Sequence, residues 1–234
     1  MAAHAAVLPS PSRAPLWSMP PGAVWPTLGP EETETDALRA PGTVQHFAQD
    51  RRIFADGDPA EHFYRMVSGV VRACKFLSDG RRQIEAFYVA GDVFGLEAGT
   101  HYSISAEAVN NSMVVAFRRK AVEALARKDT LLSCQLMTAM MGALDHARRH
   151  SLLLGRRGAV EKVASFLTEW ARQSAVAGTI HLAMTRQDIA DYLGLTIETV
   201  SRTLTQMERD RLIALPGTRQ IRLCNRAALA DLAA

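Results

Sequence analysis

Three polar side chains near the C-terminus of this 234-residue chain recur at a spacing that places them on one face of a helix. Glu198, Ser201 and Arg202 stand at positions i, i+3 and i+4. Arginine can donate two parallel hydrogen bonds to guanine O6 and N7, glutamate can accept from cytosine N4, and serine can do either. Such a face could read base edges in a DNA major groove. The alternative is an ordinary solvated surface with an i,i+4 ion pair between Glu198 and Arg202.

The surrounding residues predict two short helices that would hold these side chains in place. Thr185 precedes Asp188 by three residues, a capping-box arrangement that starts a helix, and Gly194 ends that helix. Thr196 can cap a second helix. The inward-facing residues of this second helix are Val200, Leu204 and Met207. Two short helices joined at a glycine, the second with an exposed polar face near its N-terminus, form a helix-turn-helix.

A short hairpin is predicted after the second helix. Residues 212–223, LIALPGTRQIRL, contain two apolar runs around Pro216 and Gly217, with Arg219 and Arg222 on or near the turn. A helix-turn-helix followed by such a wing favours DNA binding over the solvated-surface alternative.

The distribution of charge supports a polyanionic partner better than the net charge of +3 does. Residues 156–234 contain 11 Arg and Lys against 8 Asp and Glu, whereas residues 1–155 contain 16 of each. With 48% hydrophobic and 22% charged residues, the composition is that of a globular protein. The sequence offers neither a secretory signal nor an apolar run of about 20 residues, so a cytoplasmic location is expected.

The spacing of apolar residues changes once within the first two thirds of the chain. Residues 43–120 alternate apolar and polar positions, with turn signals at intervals of about ten residues, which predicts an antiparallel barrel or sandwich. Residues 121–154 contain almost no glycine or proline and predict one long helix.

A heptad-spaced seam runs along that helix and predicts a dimer interface. Its members are Leu136, Met140, Ala143, Ala147, His150 and Leu154. A second stripe, Met137, Met141 and Leu144, lies beside it. The alternative is that both stripes pack inside one chain.

The N-terminal arm, residues 1–40, mixes Ala, Pro and Ser without an apolar period and is expected to be flexible, with Trp17 and Trp25 as candidate docking residues. The three cysteines are far apart and lack metal-binding spacing, so buried free thiols are expected. They are Cys74, Cys134 and Cys224.

In this order, a barrel, a long helix and the motif TRQDIADYLGLTIETVSRTL resemble the CRP/FNR family of bacterial transcription regulators over about residues 40–232. The E-x-x-S-R form of Glu198, Ser201 and Arg202 is similar to the FNR and FixK branch. The resemblance implies an α+β fold in four parts: arm 1–40, a cyclic-nucleotide-binding-like β-roll at 41–120, a dimerisation helix at 121–156, and a winged helix-turn-helix at 157–234.

The resemblance also implies which residues contact DNA. Base contacts are expected from Ile197, Glu198, Ser201 and Arg202. Phosphate contacts are expected from Thr185, Gln187, Thr196 and Thr199. The implied site is a palindrome resembling TTGA(T/C) facing its inverse, bound by a homodimer that activates transcription through RNA polymerase under oxygen limitation.

Departures from the family pattern suggest action without a bound cofactor. The arm has no cysteine for an iron–sulfur cluster. In GDVFGLEAGTHYSISAEA, Glu97 is displaced by one position, and no arginine stands between Arg82 and Arg118 to hold a cyclic nucleotide phosphate. Two alternatives stay open at this point: an effector in the β-roll, such as haem bound through a histidine, and a cupin-like metalloenzyme. The candidate histidines are His46, His62 and His101; no metal site is predicted.

Overall fold

The computed structural model describes residues 38, 40–156, 158–174 and 178–233. Trp17, Trp25 and nearly all of the predicted arm lie outside these residues. Leu38 is buried with Phe63 and Phe117, so the chain already packs on the barrel at this point.

The N-terminal domain is built from antiparallel strands, as the alternating pattern predicts. The strands are β1 Gly42–Phe47, β2 Arg52–Phe54, β3 His62–Ser68, β4 Val71–Phe76, β5 Arg82–Tyr88, β6 Val93–Phe94, β7 Ser105–Ala108 and β8 Ser112–Arg118. They form two four-stranded sheets with the orders β1-β8-β3-β6 and β2-β7-β4-β5. This confirms the predicted β-roll.

The tight turn between β3 and β4 depends on a glycine. Gly69 has a φ of +86°, a conformation that side chains other than glycine rarely adopt. A Cβ atom at this position would also lie 2.6 Å from the carbonyl oxygen of Asn111. The predicted turn signal therefore corresponds to a position that only glycine fits.

The predicted continuous helix is divided in two. Helix α1 spans Arg119–Ala126 and α2 spans Thr130–Gly155. Asp129 starts α2 afresh, because its carboxylate accepts from the backbone N–H groups of Leu131 and Leu132 at 2.9 and 3.1 Å. The break lets Leu132 pack into the apolar cluster under the barrel. Helix α2 has 26 residues and is about 39 Å long at 1.5 Å per residue.

The C-terminal domain combines helices with a small sheet. Its elements are α3 Ala159–Ser174, β9 Thr179–His181, α4 Arg186–Leu193, α5 Ile197–Arg209, β10 Ile213–Gly217, β11 Gln220–Leu223 and α6 Arg226–Ala233. The sheet order is β10-β11-β9. The wing strands β10 and β11 were predicted, whereas β9, only three residues long, was not. The α+β class is confirmed.

One apolar core connects the two domains. Ile84 and Phe87 on the outer face of the barrel are buried together with Phe166, Trp170 and Tyr192. The Phe87 ring lies 6.0 Å from that of Trp170 and 5.4 Å from that of Tyr192, measured between centroids. The C-terminal domain is therefore packed directly on strands β4 and β5.

Only one of the cysteines matches the expected burial. Cys74 is a buried free thiol, and burial raises its pKa to about 11. Cys134 on α2 and Cys224 after β11 are free but exposed. Among the described helices, none is long and apolar enough to cross a membrane.

Candidate nucleic-acid interface

Helix α4 begins with the predicted capping box. The backbone N–H of Asp188 donates to Thr185 Oγ1 at 3.1 Å, and Asp188 Oδ2 accepts from the backbone N–H of Thr185 at 2.9 Å. At the other end, Gly194 is left-handed, with φ 62° and ψ 41°, and turns the chain toward α5. The helix-turn-helix is thus started and ended by the residues that predicted it.

Helix α5 separates its apolar and polar residues onto two faces. Its buried side is formed by Val200, Leu204 and Met207. The side chains of Ile197, Glu198 and Arg202 are exposed, and that of Ser201 is half-buried. The four predicted base-contacting residues therefore stand on the side of the helix that faces away from the protein.

The charged pair on this face stays available to a ligand. Glu198 is hydrogen-bonded by its own backbone N–H and by the Thr196 hydroxyl, and these bonds, aided by the charge of Arg202, hold the pKa of Glu198 below its usual value. Among the described residues, no salt bridge joins Glu198 to Arg202. The ion-paired surface considered as the alternative is not formed.

The four predicted phosphate-contacting residues lie at the N-terminal ends of α4 and α5. Thr185 and Thr196 are the N-caps of these helices. Thr199 donates its backbone N–H to Thr196 Oγ1 at 3.2 Å, and Gln187 Nε2 donates to Asp191 Oδ1 at 2.6 Å. Helix N-termini attract anions, so both ends suit phosphate groups.

The wing adds further positive charge beside these helices. Strands β10 and β11 pair antiparallel, with Ile213 opposite Leu223. Arg219 stands in the turn between them and Arg222 on β11, and both are exposed. Their predicted position on a wing is confirmed by this pairing.

The C-terminal end of α4 is held by residues from two other helices. His150 Nε2 on α2 donates to the carbonyl oxygen of Tyr192 at 2.8 Å, and Lys162 Nζ on α3 donates to that of Leu193 at 3.2 Å. The rings of His150 and Tyr192 also stack with 4.2 Å between centroids. Donors at a helix C-terminus satisfy its unpaired carbonyl groups. This role of Lys162 could not be predicted from local spacing, because its partner is 31 residues away.

Helix α2 carries an exposed apolar stripe. Its main members are Met137, Met140, Met141 and Leu144, whose exposed fractions lie between 43% and 65%. Ala143 and Ala147 are exposed as well. The stripe combines the middle of the predicted seam with the neighbouring row. Apolar surface of this kind on a helix is typical of a protein–protein interface.

The ends of the predicted seam face the chain itself. Leu136 packs against the cluster under the barrel, His150 is buried on Tyr192, and Leu154 is half-buried near Gly194. Heptad spacing correctly places these residues on one side of the helix, but their covering is intramolecular because the barrel and α4 pack there. His150 is thereby corrected from an interface residue to a core residue.

Aromatic rings fill the space between the two barrel sheets. Phe54 stacks on Tyr102 with 3.7 Å between centroids and on Tyr64 with 5.7 Å. Phe94 stacks on Tyr64 and on Tyr88. These stacked rings form much of the apolar core between the two sheets.

Two charged residues of the barrel are engaged with other protein groups. Arg72 is the only buried arginine among the described residues, and its guanidinium pairs with Glu107 and Asp188. Glu97 accepts from the backbone N–H and the hydroxyl of Ser103, both at 3.0 Å. Arg72 and Glu97 are thus both paired within the protein.

Metal chemistry likewise has no grouped ligands. Of the three candidate haem ligands, His46 and His101 are exposed, and His62 is half-buried. His146 does lie one turn before His150 on α2, but His150 Nε2 is already hydrogen-bonded. The described residues contain no cluster of three or more His, Cys, Asp or Glu that could hold a metal ion.

Comparison with known proteins agrees with this architecture. Residues 44–129 match the cyclic nucleotide-binding domain, and residues 161–232 match the Crp-like helix-turn-helix domain. The nitrogen fixation regulation protein FixK of Azorhizobium caulinodans is 49% identical over 197 residues, covering 82% of this chain and 79% of that protein. The fumarate and nitrate reduction regulatory protein of Escherichia coli K12 is 34% identical, covering 77% and 74%.

A solved structure shows the same fold over most of its length. FixK2 from Bradyrhizobium japonicum superposes with a TM-score of 0.79 at 46% identity, covering 82% of this chain and 98% of that structure. These relatives are transcription regulators rather than enzymes, which rules against the metalloenzyme alternative. The chain belongs to the CRP/FNR family of bacterial transcription regulators, as a FixK-like member with a DNA-binding helix-turn-helix.

Proposed function

We propose that this protein is a homodimeric transcription activator that binds a TTGA(T/C)-type palindrome without a cyclic-nucleotide or iron–sulfur cofactor. In this proposal, Ile197 packs on a thymine methyl group, and Glu198, Ser201 and Arg202 hydrogen-bond to base edges. The helix ends at Thr185 and Thr196 bind the flanking phosphates.

The observation that carries the proposal is the outward face of α5. Val200, Leu204 and Met207 fix the helix from below, so the side chains of Glu198 and Arg202 project on a rigid support. An exposed carboxylate on a face turned toward DNA would be repelled by the phosphates unless it accepted a hydrogen bond from a base. Cytosine N4 is such a donor, and its guanine partner suits Arg202.

A palindrome requires two recognition helices related by a two-fold axis. The exposed Met137, Met140, Met141 and Leu144 supply an apolar surface that a second copy of α2 can cover. The two copies of α5 would then enter successive major grooves, about 34 Å apart.

Action without a cofactor is supported by the aromatic packing inside the barrel. The stacked rings of Phe54, Tyr64 and Tyr102 leave the barrel to act as a scaffold. The relatives named for nitrogen fixation and for fumarate and nitrate reduction suggest control of genes used when oxygen is limiting. Activation would require contact with RNA polymerase.

The test is a fluorescence-anisotropy titration at physiological salt. Purified protein, checked for the absence of metal and haem, is titrated onto a TTGAT-N4-ATCAA duplex and onto a duplex in which both G·C pairs are exchanged. Each altered base pair should cost about 1–3 kcal/mol, so the two together should cost about 2–6 kcal/mol.

Tight binding to the first duplex but not to the second supports both the proposed DNA sequence and cofactor independence. Equal, weak binding to both would contradict the proposal. A preference that appears only after adding haem or another effector would overturn the cofactor-free part and leave the site intact.

A further inference from the structure

A cluster of charged side chains joins the barrel to the first helix of the helix-turn-helix. On β5, Arg82 Nη2 donates to Asp188 Oδ1 at 2.6 Å, and Arg82 Nε donates to Asp191 Oδ2 at 2.7 Å. Asp188 and Asp191 stand at positions i and i+3 of α4, so both carboxylates face the same guanidinium. One barrel arginine thus holds the first two turns of α4.

A second arginine anchors this cluster in the barrel. Arg72 on β4 donates Nε and Nη2 to Glu107 Oε2 on β7 at 3.1 and 2.9 Å, and Nη1 to Asp188 Oδ1 at 3.3 Å. The Arg72 side chain is 11% exposed and that of Asp188 is 3% exposed. Buried charges are costly unless they are paired, so Arg72 and Asp188 favour this one arrangement of the two domains.

Asp188 links the cluster to the start of α4. Its Oδ1 atom faces the two arginines, while Oδ2 accepts from the backbone and the hydroxyl of Thr185. Burial raises the pKa of Asp188, but the bonds from Thr185 and the charges of Arg72 and Arg82 outweigh it, so the pKa is below its usual value. The carboxylate that caps α4 is therefore also the carboxylate that attaches α4 to the barrel.

The other contacts at this junction are mainly apolar, apart from the hydrogen bonds that Gln83 Nε2 and His150 Nε2 donate to the carbonyl oxygen of Tyr192 at 3.5 and 2.8 Å. Phe87 on β5 contacts Trp170 and Tyr192, which stabilises the docking without fixing an angle. Charge-assisted hydrogen bonds have strict geometry. Because α5 packs on α4, the angle that the arginines impose on α4 also sets the direction of α5.

We propose that Arg82, supported by Arg72, is a positioning residue for DNA binding and sets the half-site spacing that the dimer selects. This inference rests on the proposed function, since spacing has meaning only for a dimer on a palindrome. Arg82 contacts no base in this proposal. It acts through Asp188 and Asp191, which fix the orientation of each recognition helix relative to the barrel and the α2 stripe.

The experiment compares spacing selectivity with base selectivity in the full chain. Wild type, Arg82→Gln, Asp191→Asn and the double variant are titrated onto TTGAT-N4-ATCAA, onto duplexes with N3 and N5 spacers, and onto the N4 duplex with exchanged G·C pairs. Arg81→Gln is the matched control, because Arg81 neighbours Arg82 but is 77% exposed and pairs only locally with Asp79. Circular dichroism and sedimentation check that each variant is folded and dimeric. If Arg82→Gln does not fold or does not dimerise, the milder variant Arg82→Lys replaces it.

We expect Arg82→Gln to lower the preference for N4 over N3 and N5 about tenfold while leaving the G·C preference unchanged. Asp191→Asn should act in the same direction, and the double variant should lose less than the sum of the two, because both remove one shared contact. Arg81→Gln should behave as wild type.

Two outcomes overturn the inference. Unchanged spacing preference in Arg82→Gln contradicts the positioning role, and equal loss of spacing and base preference reduces Arg82 to a general stability role. A wild type without any G·C preference would instead refute the proposed function, and the spacing role with it, before any variant is compared.

Discussion

Met140 lies at the centre of the apolar stripe on α2, and Met140→Glu should convert the proposed dimer into monomers. The Met140 side chain is 52% exposed in the single chain, so the substitution leaves little of the chain's own core disturbed. In a two-fold dimer, the two copies of this position would face each other or nearly so. Two carboxylates would then replace two apolar side chains.

The magnitude follows from the exposed fraction. Complete burial of a methionine side chain is worth about 1.5–3 kcal/mol. The half that remains exposed is therefore worth about 0.8–1.5 kcal/mol in each subunit, or about 1.5–3 kcal/mol per dimer. Desolvation and repulsion of two like charges add to this cost. The dissociation constant of the dimer should thus rise by about 100-fold or more, since each 1.4 kcal/mol is tenfold.

Sedimentation velocity at micromolar concentration measures the change directly. The matched control is Leu131→Glu, because Leu131 is also an exposed apolar residue of α2, at 45%. It lies nine residues before Met140, which is about two and a half turns, so it faces the opposite side of the helix. We expect wild type and Leu131→Glu to be dimers and Met140→Glu to be a monomer with weak operator binding.

If Met140→Glu dimerised with the same concentration dependence as wild type, the proposed interface on α2 would be refuted. Dissociation of Leu131→Glu alone would also refute it, since that result would place the interface on the other side of α2.

Three further predictions concern base reading, pH dependence and the support of α5. Arg202→Ala should cost about 1–3 kcal/mol of binding free energy on the G-containing duplex, while non-specific binding stays nearly unchanged. The control Arg81→Ala should affect neither. An equal loss of affinity on all duplexes in the anisotropy titration would contradict a base contact by Arg202. Burial raises the pKa of Asp92 to about 6 despite a hydrogen bond from Val89, so the folded pKa is above the unfolded value of about 3.9. The stability that protonated Asp92 contributes is present below about pH 4 and is lost as the pH rises through about 6. In denaturation curves measured against pH, Asp92→Asn should remove about 3 kcal/mol of this dependence. An unchanged pH profile of the variant would exclude Asp92 as the source of the dependence. Leu204→Ala removes a fully buried side chain under α5 and should lower the free energy of unfolding by about 2–5 kcal/mol in urea, with a loss under 1 kcal/mol indicating that α5 is not held as described.

The helix-turn-helix could be predicted from sequence because its signals are local. Thr185 and Asp188 are three residues apart, Gly194 stands between the helices, and the buried residues of α5 recur at helical spacing. Each of these contacts is made within one or two turns of chain. Periodicity and capping chemistry therefore suffice to place the outward face with Glu198 and Arg202.

The environment of α2 was harder to predict, because the spacing of apolar residues does not show which part of the protein covers a helix face. The count of apolar positions overlooked Asp129, an N-cap that restarts the helix. It also grouped His150 with Met140, although one is buried on Tyr192 and the other is exposed. Which part of a stripe is free depends on how the domains dock, and that docking is made by residues distant in sequence.

Asp188 shows both sides of this limit in one side chain. Its contact with Thr185 spans three residues and could be predicted, whereas its contacts with Arg82 and Arg72 span 106 and 116 residues and could not. The lack of arginine between Arg82 and Arg118 bears on a ligand in the barrel, whereas the outward contacts of Arg72 and Arg82 could not be predicted from the sequence. The salt bridges of Arg82 and Arg72 with Asp188 extend outward from β5 and β4 to α4. In a regulator of the proposed cofactor-free kind, such an outer face is where the barrel can govern DNA binding, because under our proposal a change in the pairing of Arg82 moves α4 and the recognition helix packed on it.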